Sequence, residues 1–406
     1  MASQGGLRIL AILNGSVRGY SGGDLHTVEI LNVWSRQHQV ELLLPRGSSM
    51  DIAPLVSFPL RAPRGGTSGS SRSRLRYALL LAFRMVSATT FVLARPDQWD
   101  VVIASSHYAF DAVPALLARG SALRVLYWWH HATAPQGRPK WVQWLINISE
   151  RLTARLSAIR CAAVFTGNSE TKAWLISKHL DASRIALTRN APSVQARLVP
   201  DDEALDGSPM LGKLRPSDGI VLFFARLSNL KGARDLPAIC EYVLHENPDA
   251  VVVICGPDGN ESDGVRRALR SLELAGGVMF LGFVSEAVKR WLFDRSHVVV
   301  APSYEEGWGG TVADAVASGC WVVAYDLAAV RESSPRGPVL VPLGDVESFA
   351  RATAECLKKP RPSKPPQPPD LWSEIADEDL KFILTKRQTR QHESSNQVQQ
   401  SRPKSF

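Results

Sequence analysis

The stretch HVVVAPSYEEGWGGTVADAVASGCWVVAYD, at residues 297–326, contains two apolar runs separated by a glycine-rich loop and a helix-length segment. The runs at 297–303 and 320–326 are rich in valine and have the length of strands, and a helix fits at 310–318. A unit of strand, helix and strand with such apolar strands is typical of a parallel sheet buried on both faces. Residues 297–326 therefore predict an α/β fold.

The same alternation runs through both halves of the chain. In the first half we predict strands at 7–15, 38–45, 100–106, 123–130 and 162–168, with helices at 24–36, 110–119 and 141–160. In the second half we predict strands at 219–226, 249–256, 277–283, 297–303 and 320–326, with helices at 233–246, 262–275, 286–294, 310–318 and 345–358. The pattern predicts two doubly wound, Rossmann-like parallel-sheet domains. Open parallel sheets bind ligands beyond the carboxyl ends of their strands, so we expect the two domains to face a central cleft.

Changes in composition mark the domain boundaries. Residues 191–218 lose apolar periodicity and gather Pro, Gly and Asp, so we predict domains at 1–200 and 201–359. A proline-rich linker and an amphipathic helix at 372–387 follow, together spanning 360–387. The polar residues 388–406 are predicted to be disordered.

Composition indicates a globular protein of the cytoplasm. Of the 406 residues, 45% are hydrophobic and 21% charged, which is enough apolar material for two cores. The chain begins MASQGGLRILAILNG, in which a polar leader runs straight into a strand without the pattern of an export signal. The five cysteines lie far apart, and no CxxC pair is present. We expect buried free thiols in a reducing compartment.

Positive charge is concentrated in the first half. Residues 1–200 carry 23 Lys and Arg and 10 Asp and Glu, a net +13, whereas the remainder carries a net −5. Such an asymmetry favours an anionic partner, although arginine-rich surfaces also arise from genome composition. The partner that we expect is an anionic membrane surface or a phosphorylated acceptor, and we expect no nucleic acid.

The loop between the strand and the helix at 302–314 has the chemistry of a phosphate site. Glycines allow the backbone to approach a ligand closely, and the free amides at a helix N-terminus attract phosphate. Two carboxylates beside them can accept hydrogen bonds from sugar hydroxyls. The alternative is a glycine-rich turn with a capping acid. The candidate donor-binding residues of this loop are Glu306, Gly307, Gly309, Gly310, Thr311 and Asp314.

The loop resembles that of the retaining glycosyltransferases of family 4, also called glycosyl transferases group 1, which have the GT-B fold. In that family a Pro-Ser pair ends a strand and a Glu follows it. A second Glu lies eight positions after the first, in a helix, and an apolar strand comes after that helix. Glu306 and Asp314 have this spacing. The resemblance implies that Glu306 contacts the donor sugar and Asp314 the nucleotide ribose. Asp314 is one methylene shorter than the usual Glu, and this departure bears on ribose binding.

Further resemblances extend over roughly 7–358. ARLSNLKG at 225–232 is similar to the family's segment in which Arg226 and Lys231 would neutralise the donor diphosphate; two solvated surface charges are the alternative. Val284, in the loop after GF, would offer backbone atoms to the base. The WSEIADEDLKFIL helix looks like the family's final helix, which packs back on the N-terminal domain.

The first domain contributes more diffuse matches. Gly22 and Gly23 resemble the glycine pair that opens the family's first helix near the donor phosphates, although a simple turn is equally consistent with them. YWWHHATAP at 127–135 ends a strand with two histidines, and the match favours His130 over His131 as the functional histidine at the cleft. A structural histidine pair or half of a metal site is the alternative.

The resemblance implies a metal-independent hexosyltransferase that needs no cofactor and uses a UDP- or GDP-linked sugar as co-substrate. Retention would follow from front-face attack by the acceptor, with Arg226, Lys231 and the helix dipole stabilising the departing diphosphate. A lipid-linked intermediate or polysaccharide precursor is the favoured acceptor. The alternatives are a nucleotide-sugar epimerase on the same fold and a non-catalytic partner protein.

The segment from Arg61 to Arg95 carries seven arginines without an acid and encloses the apolar run YALLLAFRMVSATTFVLA. Arg84 near the middle of that run argues against a helix that spans the bilayer. Two alternatives stay open. The run forms a helix lying on anionic lipid at the inner face of the membrane, or it forms a long buried helix of the first domain.

Overall fold

The computed structural model describes residues 6–15, 22–45, 56–62, 74–129, 140–192, 208–214, 219–335, 337–366 and 370–400. The described chain forms two compact units. The first contains Met1–His131, Trp141–Asn190 and Asp370–Phe406, and the second contains Ala132–Lys140 and Ala191–Pro369. The division after Asn190 lies ten residues before the predicted boundary at 200.

The first unit is built on a parallel sheet of seven strands in the order β3-β2-β1-β4-β5-β6-β7. These strands are β1 (Arg8–Ile12), β2 (Gln39–Leu43), β3 (Leu60–Arg61), β4 (Val101–Ala104), β5 (Leu123–Trp128), β6 (Ala163–Thr166) and β7 (Ile185–Leu187). The central strands β1, β4, β5 and β6 are apolar and almost entirely buried, as expected for strands covered on both faces. The order reverses between β1 and β4, which is the topology of a doubly wound sheet.

Helices cover both faces of this sheet. The helices of the first unit are α1 (Gly22–Trp34), α2 (Arg74–Leu93), α3 (Ala109–Leu116), α4 (Lys140–Arg160) and α5 (Ser169–Ser177). Leu10, Val102 and Leu126 share one apolar cluster with residues of α2, α3, α4 and α5, so these four helices form one layer. Residues alternate across a strand, so Tyr127 and Phe165 lie on the opposite face, where they contact His26 of α1 and Phe382 near the chain's end.

The second unit has a parallel sheet of six strands in the order β10-β9-β8-β11-β12-β13. These strands are β8 (Gly219–Phe224), β9 (Ala250–Cys255), β10 (Val278–Gly282), β11 (Val298–Ala301), β12 (Trp321–Tyr325) and β13 (Pro338–Val341). The helices of this unit are α6 (Leu236–Glu246), α7 (Ser262–Ala268), α8 (Arg270–Leu274), α9 (Glu286–Arg295), α10 (Gly310–Ala317), α11 (Ala328–Ser333) and α12 (Val346–Leu357). α6, α7 and α12 pack on one face, and α9, α10 and α11 pack on the other. Both predicted Rossmann-like sheets are thus confirmed.

The end of the chain differs from the prediction. The last helix, α13 (Leu371–Gln400), belongs to the first unit and contacts α1, β5 and β6. It continues well past 387, so the disorder predicted from 388 is wrong for residues 388–400. Arg361 of the proline-rich stretch donates hydrogen bonds to the carbonyl oxygens of Asp294 and Ser318, which ties the start of the predicted linker to the second unit. A polar sequence with good helix formers can extend a helix that is already anchored by packing.

The strands β3, β7 and β13 were absent from the sequence expectation. They lie at or next to the sheet edges and have only two to four residues, and β13 begins with a proline. The segment 74–93 forms a helix of the first unit, and a helix was expected in both alternatives for it. All five cysteines are buried and unpaired, as predicted, and burial raises the pKa of Cys161 to about 12.

Candidate functional site

The loops that follow β8, β9 and β11 meet at the carboxyl edge of the second sheet. The backbone N–H of Tyr304 donates to the carbonyl oxygen of Leu230 over 2.9 Å, which joins the loop after β11 to the loop after β8. The N–H of Leu227 donates to the carbonyl oxygen of Pro257 over 3.2 Å, which adds the loop after β9. Backbone hydrogen bonds of this kind hold the edge as one surface.

Gly232 allows the loop after β8 to come very close to the loop after β11. It has φ +69°, in the left-handed region, and a Cβ built there would lie 1.8 Å from the carbonyl oxygen of Pro302. A side chain at 232 would force the two loops apart. The glycine therefore allows Lys231, in the short 3-10 turn Asn229–Lys231, to approach the loop that carries Glu306.

Lys231 and Glu306 form an ion pair at this edge. The Nζ of Lys231 lies 2.6 Å from Oε1 of Glu306, and their side chains are 32% and 15% exposed. An ammonium group has three N–H donors, so Lys231 can hold Glu306 and still donate to a bound anion. The second oxygen of Glu306 can likewise accept a hydroxyl. The structure thus brings together two residues that the sequence separates by 75 positions.

The N-terminus of α10 opens beside this pair. Gly309 precedes the helix with φ +85°, and Gly310 begins it, with open space where a Cβ would stand. Gly307 lies half-buried between the ion pair and the helix. The amides of a first helical turn have no partner within the helix and favour an anion. Thr311 donates from Oγ1 to the carbonyl oxygen of Phe224, which fastens this turn to the end of β8.

Asp314 is in a different environment from the one the resemblance implies. Its Oδ2 lies 3.1 Å from Nζ of Lys289 on α9, and the two side chains are only 7% and 9% exposed. The carboxylate is therefore already engaged in a buried ion pair. The sequence reasoning missed Lys289. The signal for it was a lysine at an inward position of α9, among the buried residues Val288, Trp291 and Leu292.

Arg226 and Val284 lie in the loops after β8 and β10. Arg226 is exposed. Val284 is half-buried and packs against the apolar cluster beneath α9 and α10, whereas its neighbour Phe283 is 74% exposed. The Val284 side chain is thus occupied by packing, which leaves its backbone as the group available to a ligand.

Asp235 was also missed, and it fixes the loop that carries Glu306. Its Oδ2 accepts hydrogen bonds from the hydroxyls of Tyr304, over 3.0 Å, and Tyr325, over 2.7 Å. Burial, reinforced by the Asp235 carboxylate, raises the pKa of Tyr304, so the phenol stays a donor. Asp235 joins the turn after Lys231 to the segment before Glu306, and we assign it a positioning role.

The first unit has its own polar edge, where β1 and β4 end. The buried carboxylate of Asp111 accepts from the N–H of Asn14 over 2.6 Å and from the hydroxyls of Ser105 and Ser106. Burial, only partly offset by these donors, raises the pKa of Asp111 to about 7.

The glycine pair lies at the start of α1. Gly22 is exposed, whereas a Cβ on Gly23 would stand 2.4 Å from Nε1 of Trp129, so close packing alone accounts for Gly23. His130 and His131 lie outside the described residues, and the prediction for His130 stands as made.

The described residues contain no group of three or more His, Cys, Asp or Glu side chains that could hold a metal ion. Within the same part of the chain, each helix is too short or too polar to span a lipid bilayer.

Comparison with known proteins gives a family match over the second unit. Residues 218–359 match the family model described as glycosyl transferases group 1. The chain is 29% identical over 194 residues to the 2-deoxystreptamine N-acetyl-D-glucosaminyltransferase of Streptomyces fradiae, covering 42% of this chain and 46% of that protein. It is 26% identical over 273 residues to the D-inositol 3-phosphate glycosyltransferase of Mycobacterium ulcerans, covering 66% and 53%. The chain thus spans about half the length of the curated relatives it matches.

Solved structures match over almost the whole chain. The crystal structure of Anabaena Alr3699/HepE in complex with UDP and glucose aligns with a TM-score of 0.65 and 17% identity, covering 96% of this chain and 100% of that one. At this identity the likeness shows the fold, which is that of the GT-B glycosyltransferases.

Proposed function

Residues 218–359 match the family model of the glycosyl transferases group 1, in a chain with the GT-B fold, and on this premise we propose that the protein transfers a sugar from a nucleotide-diphosphate sugar to an acceptor. The observation that carries the proposal is the Lys231–Glu306 pair beside the open N-terminus of α10. One edge of one sheet thus offers a cation, a carboxylate and the amides of a first helical turn. A nucleotide sugar carries the complementary groups, a diphosphate and sugar hydroxyls.

In the proposed mechanism the chain acts by positioning and by electrostatics. Lys231, Arg226 and the first turn of α10 stabilise the charge that develops on the departing diphosphate. Glu306 accepts hydrogen bonds from the sugar hydroxyls and orients the ring. Attack by the acceptor on the face that the diphosphate leaves would retain the anomeric configuration, and the diphosphate oxygen would take the acceptor's proton. His130 would act from the first domain, and neither a metal nor a cofactor is required by this scheme.

We propose a UDP-linked hexose as the first donor to test, with a GDP-linked one as the alternative. Alr3699/HepE is described in complex with UDP and glucose and, in a further structure, with UDP-glucose. The two curated relatives are named for different acceptors, so the acceptor has to be argued from this chain. The net +13 of residues 1–200 favours an anionic one. A lipid-linked intermediate or polysaccharide precursor at the cytoplasmic face of a membrane meets that requirement.

The test of the proposal separates donor binding from transfer. A thermal-shift screen of UDP-, GDP- and ADP-sugars should give one nucleotide that raises the melting temperature, because a ligand that binds only the native state stabilises it. With that donor, Lys231→Ala and Glu306→Ala should each lower turnover by at least about a hundredfold, the usual effect of removing one charge-stabilising group. The measurement is release of the nucleoside diphosphate in the presence of acceptor extracts.

Lys358→Ala is the matched control, because Lys358 also pairs with a glutamate, Glu355, but on the exposed side of α12. Its turnover should equal that of the unaltered protein. Full turnover in Lys231→Ala or Glu306→Ala would disprove the donor site. Nucleotide binding without any turnover would favour the non-catalytic alternative.

A further inference from the structure

The burial pattern of α2 is the reverse of its polarity. Arg84, in the middle of the apolar run, is 1% exposed and donates from Nη1 to the carbonyl oxygen of Asn14 over 3.1 Å. Leu79, Phe83 and Val86, in contrast, lie on the exposed side of the helix. Their spacing of four and three residues places them in one stripe along the helix. The protein therefore buries Arg84 of α2 and exposes three large apolar side chains of the same helix.

A second apolar stripe lies on α4. Trp144, Leu152 and Ile159 are exposed and fall on one side of the helix at spacings of eight and seven residues. Arg151 and Arg155 are exposed on that same side. The opposite side of α4 carries the buried residues of this helix. Tryptophan, aliphatic residues and arginines mixed on one helical face are typical of a helix that lies at a lipid interface.

The two stripes point in the same direction. Both α2 and α4 belong to the helical layer on one face of the first sheet, so the exposed sides of both helices point away from that sheet. We call Leu79, Phe83, Val86, Trp144, Leu152 and Ile159 the apolar face; their side chains are 52–77% exposed. Isolated exposed apolar side chains are ordinary, but two such stripes on helices of one layer mark an interaction surface.

Exposed arginines accompany the apolar face. Arg76 lies on α2, and Arg151 and Arg155 lie on α4. Helix α13, on the opposite side of the sheet, carries exposed charges of both signs, since Lys381 is exposed as well as Glu374, Asp377 and Glu378. An anionic surface would be attracted to the arginines beside the apolar face.

We propose that the apolar face, with its flanking arginines, docks the first unit on an anionic lipid membrane. The hydrocarbon side chains would enter the boundary between headgroups and acyl chains while the arginines contact lipid phosphates. Acidic lipid matches both the apolar and the basic character of the surface. The inference deepens the proposed function, since a membrane-borne acceptor would then meet the enzyme at the bilayer, but its test does not depend on transfer.

The experiment is co-sedimentation of the full chain with lipid vesicles. Vesicles of phosphatidylcholine containing phosphatidylglycerol should bind the protein at low salt, and bind it less at high salt because salt screens exposed charges. Phe83→Ser combined with Val86→Ser should weaken binding by about tenfold or more, because each removed side chain loses its burial in lipid. Arg151→Gln combined with Arg155→Gln should also weaken binding, because it removes two positive charges that are attracted to the anionic lipid.

Leu274→Ser is the matched control, since Leu274 is 79% exposed in the second unit, away from the apolar face. It should bind vesicles like the unaltered chain. Each variant is also tested for a UDP-induced thermal shift, which reports folding and donor binding without lipid.

A normal nucleotide shift without vesicle binding at low salt would overturn the membrane inference and leave the proposed function standing. Vesicle binding that Phe83→Ser with Val86→Ser leaves unchanged would equally overturn it. A lipid-free dimer that these substitutions dissociate would assign the apolar face to a second copy of the chain instead.

Discussion

Asp314 shows how one shortened side chain changes a site. The family usually has a glutamate here, whereas this chain has an aspartate whose carboxylate pairs with Lys289 in a nearly solvent-free environment. Lys289 also lies 5.7 Å from the centre of the Phe224 ring. A charge in such a place is costly without its partner, so each member of the pair requires the other. Lys289 is thus the residue that sets where the Asp314 oxygens stand.

This dependence gives a prediction for Lys289→Met. The substitution removes the positive charge that pairs with the buried Asp314 carboxylate, and we expect the free energy of unfolding to fall by about 3 kcal/mol. The double variant Lys289→Met, Asp314→Asn should recover most of that loss, because no buried charge remains. Chemical denaturation of the single and double variants measures both effects.

The same variants test the ribose contact implied by the resemblance. If Asp314 accepts a hydrogen bond from the ribose, the unaltered protein binds UDP more tightly than 2′-deoxy-UDP. Lys289→Met should then reduce this difference in affinity between the two nucleotides. Equal affinities for the two nucleotides in the unaltered protein would remove Asp314 from the donor site. If Lys289→Met is as stable as the unaltered protein, the ion pair does not contribute to the free energy of unfolding.

The sequence predicted which loop residues belong to the candidate site, but it did not predict which side chains they contact. Lys231 and Glu306 were both identified from the sequence, and their mutual contact emerged only from the structure because Gly232 lets two distant loops touch. Lys289 and Asp235 were missed because each acts through a tertiary contact that no local spacing encodes. The catalytic roles of Glu306, Lys231, Arg226 and His130 stay predictions.

Among the elements, the central strands were predictable because burial on both faces makes them continuously apolar. Edge strands such as β3 and β7 were not, because two or three residues carry no periodicity. Helix α2 was recognised as apolar, but its orientation could not be read from composition. The buried contact of Arg84, together with the buried Ala88 and Val92, shows which side of the helix faces the protein.

Helix α13 is attached to the first sheet by a buried carboxylate. Asp379 accepts hydrogen bonds from the hydroxyls of Tyr127, over 2.8 Å, and Thr188, over 3.0 Å. The indole N–H of Trp34 on α1 donates to the carbonyl oxygen of Ala376. These bonds join α13 to β5, to the end of β7 and to α1.

We predict that Asp379→Ala destabilises the first unit. Two buried hydroxyl donors would lose their acceptor, and each such loss costs about 1–3 kcal/mol. Glu378→Ala, which removes only the exposed pair with Arg189, should change stability by less than about 1 kcal/mol. Denaturant unfolding followed by tryptophan fluorescence compares the two variants. Equal effects would mean that the buried carboxylate contributes nothing beyond a surface charge.

In the whole molecule, each unit has its own apolar core and its own sheet. The sequence predicted this division because helices and strands alternate in both halves and 191–218 interrupts the alternation. The packing of α13 on the first unit was expected only from the family resemblance, since no local pattern in the sequence encodes contact with a distant sheet.

Two cores predict two unfolding steps. Calorimetry should show two separable unfolding transitions. A nucleotide at a hundred times its dissociation constant should stabilise only the second unit, by about 2.7 kcal/mol, and should therefore raise the temperature of that unit's transition alone. Asp379→Ala should lower only the other transition. One cooperative transition, moved by both treatments together, would contradict this independence.

The placement of α13 also governs how the protein is made. The strands that carry Tyr127 and Phe165 are translated before residues 191–369, yet the helix that contacts them is translated after those residues. During synthesis, part of the first sheet is therefore uncovered until the residues around Phe382 have been translated, whereas Ala191–Pro369 are by then complete. A product terminated before Leu371 would keep that sheet bare and become a substrate for chaperones and proteases. The first domain thus depends on a helix that is translated only after residues 191–369 of the second unit.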